Sequence, residues 1–519
     1  AEMKLGKHSA PLPEPSAAAQ AGDLPGALYL AEQARRAAST PEQANQALWQ
    51  SAAVLAEQGL YEEAAVRFSS AYQSGVHHPS VVKGLAKCLL KQGFPTRARG
   101  VLESHPEASD QEYCLLLAQS YFESRQPAAA LRLVRSYIDA HKPSPAVYST
   151  ATMYANYIEQ AGDALRDLGA LAQQHYPYPD STVTGRAPAL GRRLRVGFIS
   201  ADFYRHPVGY FTSGWIGKLG ESFDVTLIYT GTIVDAVTEK VRANSRWLRL
   251  KAGDKQQQLA ELRALDLDIL IELSGHTANN ALPILAQRAA PVQLSLLGYM
   301  DSTFVPNIDA TITDRDHLPL LQGDSHTVVM AGSRFCYDPP LPLQPSAAPF
   351  DHNGMLTFGC FSLPAKITDA TLDRWAAVLN ALPTSQLLLV GLAYEDREVI
   401  RELRTAFAKR SVNASRIQFR GRLRFDVYLQ TYADVDVMLD TTPFCGGTTS
   451  YEALSAGTPI LTEKSRGGAG ATTAGALTSL RLTEYIAEPT PQGWARCAVQ
   501  IAANAGQLSA QRQQIFAAM

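Results

Sequence analysis

The segment Leu439-Asp440-Thr441-Thr442-Pro443-Phe444-Cys445-Gly446-Gly447-Thr448-Thr449-Ser450-Tyr451-Glu452-Ala453-Leu454 passes from an apolar run, through a glycine pair, into a helical pattern. Strand, turn and helix in that order are the unit of an α/β fold. Gly446 and Gly447 have no Cβ and let the backbone come close to a ligand. Thr448 and Thr449 open the helix, whose first N–H groups find no acceptor inside it and attract an anion. Glu452 follows Thr448 by one turn, so its carboxylate lies beside any hydroxyls attached to that anion. Read this way, the segment seats the diphosphate of a nucleotide sugar. A glycine turn before an ordinary Thr-capped helix satisfies the same letters without a ligand.

Outward from this segment, short β-rich runs alternate with helical stretches, the rhythm of parallel sheets with helical crossovers. One series comprises residues 194–200, 225–229, 269–273, 292–297 and 310–313. A proline-rich break from Pro339 to Pro349 precedes a second series at 356–361, 386–390, 417–420, 437–440 and 459–462. Two Rossmann-like, doubly wound domains are therefore expected, at 190–340 and 350–519. Ligands of open α/β sheets gather beyond the carboxyl ends of the strands, so the chemistry should lie just after them.

The region 1–180 has a different character: rich in Ala, Leu, Gln and Glu, and punctuated by glycines. Gly59-Leu60-Tyr61-Glu62-Glu63-Ala64, followed by Phe68 and Ala71, fits the second half of a tetratricopeptide unit. Gly93 and Ala98 repeat Gly59 and Ala64 at an interval of 34 residues, the period of that repeat. Gly22-Asp23-Leu24 with Ala27 is a looser copy, Ala130 with Val134 another, and Gly162-Asp163 starts a capping unit. An α-solenoid of this kind offers a concave face to extended peptides. The composition from Tyr176 to Arg193 reads as a linker.

Charge and composition exclude several classes. With 519 residues, 46% of them apolar, and 47 basic against 49 acidic side chains, the chain has ample core and no field to recruit nucleic acid. Its six cysteines show no metal spacing and read as reduced thiols. Pro11, Pro13 and Pro15 interrupt the N-terminus, no secretory apolar core stands there, and no run is long enough to span a bilayer. A cytoplasmic protein without membrane partners is the expectation.

Polar residues do follow the expected strands. Asp202, Arg205 and His206 lie in Ser200-Ala201-Asp202-Phe203-Tyr204-Arg205-His206-Pro207, and an imidazole near neutral pH can exchange a proton or hold a sugar hydroxyl. Glu272 and His276, in the next such turn, are secondary candidates for sugar contacts, and Gly298 before Tyr299 permits a third close approach. Lys366, after the first strand of the second series, is placed to neutralise a diphosphate. The Asp266-Leu267-Asp268 and Asp434-Val435-Asp436 pairs precede their strands, at the wrong end of the sheet for a catalytic metal, and read as solvated strand starts.

At this point the chain resembles the protein O-linked N-acetylglucosamine transferases and their SPINDLY relatives, in which tetratricopeptide repeats precede a two-domain glycosyltransferase of the GT-B type. The likeness is carried by residues 194–209 (LRVGFISADFYRHPVG), 269–280 (ILIELSGHTANN), 290–299 (APVQLSLLGY) and 439–459 (LDTTPFCGGTTSYEALSAGTP). It implies that Lys366 and the Gly446, Gly447, Thr448 and Thr449 turn hold the donor diphosphate, and that Glu452 takes the ribose hydroxyls. The same likeness implies that Leu423, Phe425 and Tyr428 frame the base and that His206 lies against the sugar; His206 is the candidate general base, with a phosphate oxygen or a chain of waters as rivals. His276, Gly298 and Tyr299 fall on the sugar and acceptor side. The implied activity is an inverting, metal-independent transfer of N-acetylglucosamine from UDP-GlcNAc to Ser or Thr hydroxyls of protein or peptide acceptors along the solenoid, with no cofactor. The chain departs from the vertebrate enzymes at Leu363, Phe425 and Gly447, where they carry glutamine, lysine and histidine. Ser274-Gly275-His276-Thr277-Ala278-Asn279-Asn280 is similar to the SPINDLY proteins and points to protein O-fucosyl transfer from GDP-fucose as the alternative. A peptide-binding scaffold with a weakly active catalytic body is a further one.

Overall fold

The computed structural model describes residues 23–159, 161–175, 191–321, 326–465 and 468–519. Pro11, Pro13, Pro15, Gly22 and residues 176–190 of the expected linker lie outside them. Two compact units make up the chain: one runs to Ser124 and includes Leu392–Val399, and the other takes Arg125–Gly391 and Ile400–Met519.

The first unit contains the helices Leu24–Ala37, Pro41–Glu57, Tyr61–Gln73, Pro79–Lys91, Pro95–Glu103 and Gln111–Glu123. Their starts follow from the sequence. Proline stands in the first turn at Pro41, Pro79 and Pro95, and the side chains of Asp23, Thr40 and Asp110 accept N–H bonds as caps. Their ends are set by Gly59 and Gly93, at φ of +77° and +86°, the left-handed conformation that ends a helix. Ala64 and Ala98, the repeated small residues, are fully buried. The turn after Gln111–Glu123 departs from this pattern, because the second residue after that helix, where the others have glycine, is Arg125, at φ +68°.

The second unit opens with the helices Pro127–Ala140, Pro145–Ala155 and Ala161–His175 and then forms two parallel sheets. The first comprises β1 (Arg195–Ser200), β2 (Asp224–Tyr229), β3 (Arg246–Arg249), β4 (Ile269–Glu272), β5 (Val292–Ser295), β6 (Ala310–Asp314) and β7 (Thr327–Met330), in the order β3-β2-β1-β4-β5-β6-β7. β8 (Thr357–Cys360), β9 (Gln386–Val390), β10 (Ile417–Arg420), β11 (Val437–Leu439), β12 (Ile460–Glu463) and β13 (Ile486–Ala487) make the other, ordered β10-β9-β8-β11-β12-β13. Both are doubly wound. Their strand order reverses at β1/β4 and at β8/β11, so each sheet opens a crevice at the carboxyl ends of those strands.

The apolar strands the sequence predicted form the sheet interiors, except β10, which is an edge strand; Ile199, Ile228 and Leu270, for example, are fully buried in the first core. Three strands were not predicted, namely β3, β7 and β13, and all lie at sheet edges. An edge strand is covered on fewer sides, so β3 carries exposed arginines at Arg246 and Arg249, whereas β7 is an apolar run, Thr327-Val328-Val329-Met330, left largely exposed. Among the described residues, no helix is long and apolar enough to cross a membrane.

Gly75 and Gly93 separate two costs. Both sit at φ +86°, but a Cβ on Gly75 would meet nothing within 4 Å, whereas one on Gly93 would lie 2.2 Å from the Leu392 carbonyl oxygen. Gly75→Ala should therefore lose about 1–2 kcal/mol, the left-handed penalty alone. Gly93→Ala should lose a further ~1–3 kcal/mol through overpacking. Urea unfolding of the two variants checks the difference, and equal losses would contradict it.

Candidate functional site

The turn after β11 is organised by a buried carboxylate. Asp440 Oδ1 accepts the N–H groups of Thr441 (2.8 Å) and Gly446 (2.6 Å), and Oδ2 accepts the Thr462 hydroxyl (2.7 Å). These bonds wrap the chain from Asp440 to Gly446 around one side chain. The two glycines then differ in purpose. A Cβ on Gly446 would stand 2.2 Å from Ser450 Oγ, so this glycine serves packing, while a Cβ on Gly447 would meet nothing within 4 Å. Gly447, Thr448 and Thr449 are half-exposed, and the helix Thr448–Ser455 begins on them with its first N–H groups facing outward from its own hydrogen-bond ladder.

Lys366 reaches this turn from the carboxyl end of β8. Its Nζ donates to the Cys445 carbonyl at 2.9 Å and lies 4.2 Å from the centre of the Phe444 ring, which stacks on Tyr157 at 4.5 Å. The hydroxyls of Thr368 and Thr371 both donate to the Thr442 carbonyl, at 2.7 and 2.8 Å, which ties the lysine segment to the glycine segment. Desolvation pulls the ammonium below its usual range. The nearby Asp440 carboxylate and the Cys445 and Cys360 thiols offset only part of that cost, so an arriving anion would add to the compensation.

Glu452 lies one turn into the same helix. Its Oε2 accepts the hydroxyls of Tyr428 and Tyr432, both at 2.8 Å. Burial outweighs these two donors and raises the carboxyl from 4.5 to about 7. Tyr428 belongs to the short helix Phe425–Gln430, whose first residue faces the loop after β1: the Arg205 guanidinium is 5.4 Å from the Phe425 ring centre, and Tyr210 stacks on that ring at 6.4 Å. Leu423 is half-buried in the turn leading to that helix. Residues from both sheets thus face each other across one cleft.

His206 occupies the start of the helix Pro207–Thr212, and its Nδ1 accepts the Val208 N–H at 3.2 Å. That bond places the ring proton on Nε2. Burial lowers the imidazole to about 4, so near neutral pH the ring is uncharged and presents a donor at Nε2. At rest, the ring expected to act as general base therefore offers a proton from Nε2, and a group with so low a pKa is a weak base at pH 7. Asp202, raised to about 6 by burial, stands 4.0 Å from Nδ1.

The turns after β4 and β5 are mostly architectural. Glu272 accepts the N–H groups of Ser274 (2.9 Å) and Gly275 (2.7 Å) and the Ser295 hydroxyl, so its carboxylate is spent inside the loop. His276 has both nitrogens engaged, Nε2 with the Thr303 carbonyl at 2.7 Å and Nδ1 with Ser149 Oγ at 3.0 Å. It lines a cavity of about 450 Å³ shared with the helices Pro145–Ala155 and Ala161–His175. Gly298 is required by packing, since a Cβ there would lie 2.3 Å from the Leu273 carbonyl. The Tyr299 hydroxyl accepts Asn156 Nδ2 at 3.0 Å, and its ring meets His276 edge-on. Internal partners therefore hold all three candidates.

Both Asp-x-Asp pairs begin strands, as expected, but the pairs are not simply solvated. Asp268 takes Arg192 in a two-pronged contact (2.7 and 2.8 Å), and Asp436 accepts the N–H groups of Phe350 and Thr357. Asp266 pairs with Arg195 and Asp434 with Arg420, each at 2.5 Å.

Sequence reasoning missed Asp440, Phe444, Tyr432 and Tyr210, and it named Arg205 after its strand without the Phe425 ring it faces. Asp440 left a signal, an acid at a strand's end before a glycine pair, which is where a turn needs an acceptor. The others act only through residues distant in the chain.

The profile of glycosyl transferase family 41 matches residues 159–333 and 352–519. The chain belongs to that family. Similar to this family 41 member are proteins from Solanum lycopersicum and Arabidopsis thaliana, each named as a probable UDP-N-acetylglucosamine-peptide N-acetylglucosaminyltransferase SPINDLY. Both are 31% identical over 323 residues, covering 59% of this chain and 34% and 35% of their own lengths. The chain thus spans about a third of these relatives. An O-GlcNAc transferase variant from Thermobaculum terrenum superposes with a TM-score of 0.82 at 25% identity, covering 93% of this chain and 94% of that one. Helical repeats followed by two parallel-sheet, Rossmann-like domains of the GT-B type are common to both.

Glu452 gives this family 41 member a pH signature. Between pH 4.5 and about 7 the folded chain retains a proton that the unfolded chain has released, so stability falls as pH rises through that window, by up to about 3 kcal/mol, and levels off above it. Glu452→Gln should flatten that slope. Urea unfolding at pH 5, 6, 7 and 8 measures it; an unchanged slope would contradict the assignment.

Proposed function

We propose that the chain is an inverting glycosyltransferase that moves N-acetylglucosamine from UDP-GlcNAc to Ser or Thr hydroxyls of protein or peptide acceptors recruited by the helical repeats, without metal or cofactor. The observation that carries this reading is the Lys366 ammonium 2.9 Å from the Cys445 carbonyl, two residues before the turn that starts the helix Thr448–Ser455. A cation and a helix N-terminus converge there, and charge that builds on a leaving diphosphate is stabilised by such fixed dipoles. The names of the similar plant and bacterial proteins support the same donor and acceptor class.

In this reading the acceptor oxygen attacks the anomeric carbon from the face opposite the diphosphate, and the bond from that carbon to the diphosphate breaks. Lys366 and the N–H groups of Thr448 and Thr449 take up the released charge, while the open room at Gly447 admits the phosphate. Glu452, whose Oε2 already holds two tyrosine hydroxyls, has Oε1 for the ribose hydroxyls. The base is framed by Leu423 and stacks against Phe425 beside Arg205 and Tyr210. His206 donates from Nε2 to the sugar, and the acceptor proton leaves to a phosphate oxygen or a chain of waters. His276 and Tyr299 support the loops behind the sugar. Aspartate pairs take no part: their carboxylates are committed to arginines and backbone N–H groups at the opposite strand ends.

GDP-fucose is the alternative donor, because an aromatic face such as Phe425 accepts a purine as readily as a pyrimidine. Calorimetry with uridine and guanosine diphosphates in metal-free buffer separates the two: one should bind with micromolar affinity, about -8 kcal/mol. Heat from neither would sink the enzymatic reading and leave a peptide-binding scaffold. Lys366→Met should lower turnover at least ~100-fold while the melting temperature stays near that of the parent. Near-normal turnover in that variant would remove Lys366 from the mechanism.

A further inference from the structure

The third repeat carries an anomaly that the first two do not. After their leading helices the chain turns through Gly59 and Gly93, residues that take a positive φ without penalty, yet the corresponding turn after Gln111–Glu123 is made by Arg125 at φ +68°. A strained non-glycine residue persists where its side chain does something that glycine cannot. Here the guanidinium forks onto one oxygen: Nε and Nη2 of Arg125 donate to the Ile367 carbonyl at 3.1 and 3.0 Å. Ile367 is nearly fully buried and is the residue immediately after Lys366.

The other fixings of this segment are local or come from one side. Lys366 N–H bonds to the Leu363 carbonyl at 2.9 Å, Ile367 N–H to the Pro364 carbonyl at 2.9 Å, and Thr368 N–H to the Lys366 carbonyl at 3.0 Å. Ile367 also bridges in parallel to Thr442, whose carbonyl receives the Thr368 hydroxyl. These contacts draw the segment toward the glycine turn. Arg125 grips it through a different carbonyl and from a different element, so the backbone beneath Lys366 is held by two independent anchors.

We infer that Arg125 is a positioning residue for Lys366: by clamping the Ile367 carbonyl it fixes the backbone from which the ammonium reaches the Cys445 carbonyl and, on the reading proposed above, the donor diphosphate. A cation that stabilises charge only as it develops depends on placement more than on binding, and small displacements are costly. Loss of the clamp should therefore lower the rate of the chemical step while leaving the donor's ground-state binding nearly intact.

Arg125→Gly is the informative variant, because glycine restores the backbone residue that the two earlier turns use and removes only the side chain. The full chain is assayed for nucleoside diphosphate release from UDP-GlcNAc and from GDP-fucose, and for amide hydrogen exchange at Lys366, Ile367 and Thr368. The expected result for Arg125→Gly is a kcat about tenfold lower with the donor KM within twofold, at least tenfold faster exchange at those amides, and a melting temperature equal to or above that of the parent. Arg125→Lys, which keeps one charged donor, should recover part of the rate. Parental kcat and parental exchange in Arg125→Gly would overturn the inference, and so would equal losses in both variants accompanied by a lowered melting temperature, which would assign Arg125 to the fold. If the parent chain releases no diphosphate from either donor, the functional reading fails, and the exchange rates alone decide whether the clamp exists.

Discussion

The buried carboxylate of Asp440 is the constraint on which the rest of the site depends. It accepts backbone N–H groups from both ends of the turn between β11 and the helix Thr448–Ser455 and a hydroxyl from β12. Burial raises its carboxyl above the usual range, so the hydrogen bonds are needed to hold it where it is. With that turn gathered, Gly446 packs on Ser450, Gly447 is left facing open room, and the Cys445 carbonyl points to the Lys366 ammonium. Trp375 adds to the same anchor by donating Nε1 to the Asp440 carbonyl at 2.8 Å.

The two sheets contribute differently to the cleft they share. The second supplies the charged elements: the lysine after β8, the helix start after β11, and the raised carboxyl of Glu452. The first supplies a wall of aromatic and hydrogen-bonding groups, with Arg205 and Tyr210 set against Phe425 and a neutral imidazole at His206. Such a division suits group transfer between two substrates, since one domain can hold the leaving group while the other shapes the space for the group that moves.

Much of this arrangement was legible in the residues, and what was not legible has physical causes. Lys366, Gly446, Gly447, Thr448 and Thr449 were readable because helix starts and strand-end turns are local, and a parallel sheet places its carboxyl ends together whatever the sequence. The tandem sheets were readable from apolar runs such as residues 194–200, whereas β3 and β13 were not: an edge strand needs fewer apolar residues, and β13 has only two residues in all. Glu272 and His276 were secondary candidates for sugar contacts because they are polar and lie at a strand's carboxyl end. Loops there must also satisfy their own N–H and carbonyl groups, and in this chain that need took both side chains. Tyr432 and Phe444 left no signal, since what they do depends on partners far away in the chain, and Arg205 was legible as a polar residue after a strand but not as the partner of Phe425.

The incomplete compensation of Lys366 at rest bears on how a catalytic cycle would close. Groups arranged to welcome the charge of a departing diphosphate go on attracting it once the sugar has gone, because the free product carries at least as much negative charge as the bound donor did. On the proposed reading, therefore, the spent nucleotide is itself a competitor for the site, and turnover is governed by how fast it escapes past the half-exposed rim at Gly447, Thr448 and Thr449. A chain built in this way throttles itself in proportion to the waste it generates.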